Sequence, residues 1–122
     1  SENSASSNAP MVYSQALYEF SGNQQLLQSV LSQFVNGLLP QIESMRAFLC
    51  AGDLKNAEMI AHKICGGAGN LTAYPMSEKA SKLERKCKEG AREESLVLLE
   101  QLGEEFARLR AFVADIGQTF KK

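Results

Sequence analysis

The sequence predicts an all-α fold: an antiparallel up-down-up-down four-helix bundle with a short extra N-terminal helix. Three observations carry this. Large apolar residues recur at steps of three and four along most of the 122 residues, the period of one buried helix face. Breaks rich in Gly, Asn and Asp divide the chain into long segments with short connections, which favours antiparallel neighbours. No stretch alternates apolar and polar residues as a strand would. The chain has no internal repeat, and its apolar stripes are broader than the seam of an extended coiled coil.

The elements follow in order. Residues 1–10 are rich in Ser, Asn and Ala and read as a disordered leader or linker, leaving 11–122 as the domain. Met11 to Phe20 forms a short first helix, broken at Ser21-Gly22-Asn23. Asn23 then caps a long helix with the stripe Leu27, Val30, Leu31, Phe34, Leu38, Ile42, Met45 and Leu49. Pro40 is expected to kink this helix without ending it, because the stripe continues beyond it. Gly52 supplies the turn, and Asp53 caps the next helix, which runs to about Asn70 or Thr72. Its apolar side holds Ala57, Ile60, Ala61, Ile64, Ala68 and Leu71.

Tyr74-Pro75 opens the following helix, since proline is tolerated in a first turn. Met76, Ala80, Leu83 and Cys87 form its buried stripe, and Lys79, Lys82, Arg85, Lys86 and Lys88 its outer faces. Gly90 ends it. The last helix runs from about Arg92 to Gly117 or Phe120, with Leu98 or Leu99, Leu102, Phe106, Leu109, Val113 and Ile116 inward and Gly103 easing close packing.

Bulk properties narrow the function. A formal net charge of −1 argues against a nucleic-acid binder that works by counterion release. No apolar run reaches the length of a membrane span, and no signal peptide is evident, so the expected location is cytoplasmic. The isolated Cys50, Cys65 and Cys87 fit reduced thiols. A zinc site made from them and the histidine would need all four to converge, and Cys87 sits on an apolar stripe. No metal ligands are therefore expected, and a small metal- or haem-binding bundle is the weakest reading.

The chemistry concentrates around His62, the one histidine of the chain. On a helical wheel His62 points away from the apolar side, with Lys55, Glu58 and Met59 on its face before it and Gly66 and Gly69 after it. Glycine inside a helix costs about 1 kcal/mol against alanine. Gly66, Gly67 and Gly69 together are a penalty that core packing is not expected to explain. Helix capping would account for Gly69 but not for Gly66. The expectation is that something approaches bare backbone beside an exposed imidazole. A neutral ring nitrogen can act as a nucleophile near physiological pH. The chain has no Walker-type loop or ATP-binding signature and no carboxylate cluster for Mg²⁺ beside His62, so it is not expected to phosphorylate itself.

The run Ala61-His62-Lys63-Ile64-Cys65-Gly66-Gly67-Ala68-Gly69-Asn70-Leu71-Thr72-Ala73 resembles the signature of histidine-containing phosphotransfer (HPt) domains, roughly Ala-His-x-Leu-Lys-Gly-Ser-Ala-x-x-Leu-Gly-Ala. Asp53-Leu54 resembles that family's helix start and Leu83-Glu84 its Leu-Glu pair in the next helix. The likeness spans about residues 13 to 120. It implies a non-enzymatic phosphoryl carrier in a bacterial two-component phosphorelay, working as a monomer. His62 would be the phosphorylated nucleophile. Its partners would be receiver domains of a hybrid sensor kinase and of a response regulator. The receivers would supply the aspartate and the Mg²⁺, so the chain itself needs no cofactor.

Gly66 would admit the receiver loop, with Gly69 and Met59 on the same docking face. Two departures stand out: Cys65 replaces the usual phosphate-supporting lysine, and Thr72 replaces a common glycine. Lys63, or a cation of the next helix such as Lys82, Arg85 or Lys86, would then support the phosphoryl group. The departure at Cys65 also motivates the alternative of a non-catalytic helical adaptor that binds receivers but has lost efficient transfer.

Overall fold

A computed structural model describes the backbone of residues 9–121 and the side chains of residues 9–117. It contains five helices: α1 Tyr13–Glu19, α2 Gln24–Cys50, α3 Leu54–Asn70, α4 Tyr74–Lys88 and α5 Arg92–Lys121. The described residues contain no strand, as the period of the sequence predicts. Residues 1–8 of the expected leader lie outside the described residues.

The caps are local and chemical. Asn23 Oδ1 accepts from the Leu26 amide at 3.0 Å, and Asp53 Oδ1 accepts from the Asn56 amide at 3.2 Å. Each satisfies one of the free donors that open a helix. At the other end of α2, Arg92 donates from Nε to the Leu49 carbonyl at 2.8 Å. Gly52 and Gly90 turn the chain with φ of +81° and +76°, conformations that cost glycine little. α2 runs unbroken through Pro40, which is exposed.

Connections of three residues separate α2 from α3, α3 from α4, and α4 from α5, so successive helices are antiparallel. α2 packs on α3, α3 on α4, α4 on α5, and α5 back on α2, which closes an up-down-up-down bundle. The core is the interior of that ring: Leu27, Leu31, Leu38, Met45 and Leu49 of α2 meet Ile64, Leu83, Leu99, Leu102 and Leu109, all nearly inaccessible. Val35 joins this core, while Val30 and Phe34 are only partly buried at its edge. Gly103 does not ease close packing, because a Cβ there would meet nothing within 4 Å.

The connection between α3 and α4 is unlike the other two. Its positive-φ residue is Thr72, at +60°, a β-branched residue in a region it seldom adopts. Such strain is typically worth about 1–3 kcal/mol. Thr72 is fully buried. Its Oγ1 donates to the Val12 carbonyl at 2.9 Å and accepts from the Val12 amide at 3.1 Å. These bonds tie the chain just ahead of α1 to the end of α3, with Met11 and Ala16 buried beside them. No described helix is long and apolar enough to cross a membrane.

Candidate functional site

α3 places its small and branched residues inward: Ala57, Ala61, Ile64 and Ala68 are buried. His62 is one step round from Ala61 and points outward, with its side chain 74% exposed. The bundle thus holds the ring's backbone rigidly and leaves the ring itself in solvent.

The ring is not free to spin. Its Nδ1 lies 3.0 Å from Oε2 of Glu84, which reaches across from α4. An ionised carboxylate only accepts, so Nδ1 carries the proton and donates. In the neutral ring that assignment leaves Nε2 with its lone pair. Glu84 is itself mostly shielded, 16% exposed. Its Oε2 is also 3.5 Å from Lys88 Nζ, and the same ammonium lies 4.0 Å from Glu58 Oε2 on α3.

Gly66, one turn beyond His62, is exposed, and a Cβ there would meet nothing within 4 Å. The bare strip beside the ring is therefore real at this position. The expectation that packing explains none of the three glycines is corrected at Gly67. A Cβ at Gly67 would lie 2.8 Å from Cε1 of Phe34 on α2, closer than carbon atoms approach. One at Gly69 would lie 3.4 Å from Ser77 Oγ. Gly69 shares the wheel position of His62, but α4 begins over it, so the open strip ends before Gly69. Nor do Gly69 and Asn70 form the cap: Leu71 is the C-cap residue, and the left-handed residue is Thr72.

Cys65 turns toward α4. Its Sγ is 3.5 Å from Ser77 Oγ, and Ser77 Oγ donates to the Cys65 carbonyl at 2.9 Å. The thiol is half-buried against the core, in the seam between α3 and α4. Lys63 is exposed on the far side of His62. Arg85 is exposed on α4 and, with Lys82, Ser77, Ser81 and Cys65, lines an open groove along that helix. None of Lys63, Lys82 and Arg85 has an ion-pair partner among the described residues. Lys86 is different. It bridges to Glu94 at 3.2 Å and Glu89 at 3.3 Å, and its hydrogen bonds to Glu94 and then Glu89 hold the ammonium above the ordinary lysine range. It serves the α4–α5 side, away from His62. Met59 is 55% exposed next to the ring.

Glu84 and Lys88 are the residues sequence reasoning undervalued. Glu84 was visible as half of a Leu-Glu pair and Lys88 as one more outer-face lysine; nothing in the spacing shows that one carboxylate oxygen would face both a ring nitrogen and an ammonium. The described residues contain no group of three or more His, Cys, Asp and Glu side chains placed to hold a metal ion. Burial pushes the Cys87 thiol up, against the lowering effect of its hydrogen bond to Ser95.

The family model for the Hpt domain matches residues 29–112. Among solved structures, histidine-containing phosphotransfer protein B from Pseudomonas aeruginosa PAO1 superposes with a TM-score of 0.83 at 25% identity, covering 93% of this chain and 99% of that one. No curated protein sequence gives a significant match.

Proposed function

The chain belongs to the Hpt domain family, whose histidine phosphotransfer role in phosphorelays is the premise here, and we propose that this member carries the phosphoryl group on His62 Nε2. It takes the group from the aspartyl phosphate of one receiver domain, that of a hybrid sensor kinase, and gives it to the aspartate of another, in a response regulator. The observation that supports this reading is the bond from Nδ1 to Glu84 Oε2 at 3.0 Å, beside open backbone at Gly66.

The step follows from that geometry. The Nε2 lone pair attacks phosphorus, an N–P bond forms, the P–O bond to the donor carboxyl breaks, and the carboxylate leaves with the electron pair. The ring keeps its Nδ1 proton and becomes cationic. Glu84 faces that growing charge with a carboxylate already in place, the type of preorganised partner that lowers such barriers. Return of the phosphoryl group to a second aspartate reverses each of these changes. The acceptor aspartate and the Mg²⁺ that balances the phosphoryl oxygens belong to the receivers. Met59 and Gly66 give the receiver an apolar contact and a close approach. Lys63, Lys82 and Arg85, none of them ion-paired among the described residues, are the cations free to meet the phosphoryl oxygens in place of the lysine that Cys65 replaces.

Incubation with a phosphorylated receiver should place acid-labile, alkali-stable phosphate on the protein, and His62→Gln should abolish it. Transfer that survives this substitution defeats the reading. The adaptor alternative rests on one observation, that Cys65 is turned into the α3–α4 seam and offers the phosphate no charge. It predicts negligible transfer by the wild type and a large gain in Cys65→Lys. Useful wild-type transfer with several receivers removes it.

A further inference from the structure

We propose that Lys88 is a positioning residue for His62, acting through Glu84, and that Glu58 is its second anchor. The inference rests on the reading of His62 as a phosphoryl carrier and adds to it two residues that never touch the phosphoryl group.

The geometry is a fork. Glu58 on α3 and Glu84 on α4 point into the same small region, each 16% exposed, and Lys88 stands between them, 4.0 Å from one Oε2 and 3.5 Å from the other. The Glu84 oxygen facing Lys88 is the one that accepts from His62 Nδ1. Two partly shielded carboxylates without a cation between them repel, and the repulsion is stronger than in bulk water because solvent screens it less. Glu84 has an easy response: it sits at the edge of the bundle and can swing outward. That swing would release the ring. Lys88 removes the reason for it.

An exposed ion pair by itself contributes little to stability. Lys88 is 58% exposed, so its contribution lies in direction and not in holding the bundle together. The other charged neighbours do not offer the same service. Lys63 and Arg85 are exposed, and no bond joins either to Glu84 or Glu58 among the described residues. α2 meets α3 through Phe34 at Gly67, about 140° round the helix from His62.

A single histidine makes the test clean, because the imidazole ¹⁵N spectrum of the full chain contains one ring. At about pH 8.5, where a free imidazole is neutral, the wild type should show mainly the Nδ1–H tautomer. Lys88→Met should shift the ring toward the Nε2–H tautomer that histidine prefers in water. Lys88→Arg should keep the wild-type pattern. Lys88→Met combined with Glu58→Gln should restore it, since the repelling charge is then gone.

Rates follow the same order. With phosphoramidate, a small donor that needs no docking, Lys88→Met should slow phosphorylation about three- to tenfold, the size expected for one coupled pair. A phosphorylated receiver should show the same factor. An unchanged tautomer with a loss confined to the receiver-driven reaction overturns the proposal and makes Lys88 a docking residue. Failure of Glu58→Gln to rescue overturns the role of Glu58. If phosphorylated receivers never label the wild type, the carrier reading fails on its own, while the tautomer series still decides what Lys88 does.

Discussion

A Cβ built at Gly66 meets open space, whereas one built at Gly67, the next residue, lies 2.8 Å from the Phe34 ring. The two faces of α3 therefore use the same residue type for opposite ends. On the inner face, glycine lets α2 come close and place an aromatic ring against helix backbone. On the outer face it gives the bundle nothing and costs helix stability, which is the ground for proposing that its use lies outside the molecule. A cluster of glycines in a helix is thus not one signal. Each has to be judged by what a side chain would strike.

The contrast can be broken from either side. The largest effect is expected at the open face: Gly66→Trp should leave thermal unfolding unchanged or slightly raised while receiver binding weakens roughly a hundredfold, about 3 kcal/mol of steric and docking loss. Phosphorylation by a small donor should persist, since the ring is untouched. Equal loss with both donors would show that the substitution damages His62 and not the approach to it. At the packed face, Gly67→Ala must push Phe34 aside. Overpacking of this kind costs about 1–3 kcal/mol, against about 1 kcal/mol of gained helix propensity. A net loss near 1 kcal/mol should lower the melting temperature by roughly 4 °C, with transfer little altered. The smallest effect is Gly66→Ala, which should raise stability by up to about 1 kcal/mol in denaturant unfolding. If Gly66→Ala destabilises and Gly67→Ala does not, the assignment of the two faces is inverted.

Much of the frame was legible because its causes are local. Asn23 and Asp53 cap helices with their own side chains, and Gly52 and Gly90 turn where only positive φ will do; each shows in a few consecutive residues. The exposure of His62 was legible too, since one buried stripe fixes the opposite side of a helix. What escaped depends on how helices rotate against each other. Phe34 is far from Gly67 in sequence, and Glu84 is 22 residues from His62. The wheel put Gly69 on the same face as His62 but could not show that Ser77 lies against it. Nor does the spacing show that the Cys65 sulfur faces Ser77 on α4.

The bonds between Thr72 and Val12 have a kinetic consequence. The tight left-handed bend after the site helix is tolerated while the segment ahead of α1 clasps it. Peeling that segment away would leave a buried hydroxyl without partners and a bend without compensation. The two pieces should accordingly fray as a single cooperative unit. Amide exchange at the last turn of α3 would then keep time with exchange at Val12, sixty residues upstream, rather than with the neighbouring turns of its own helix.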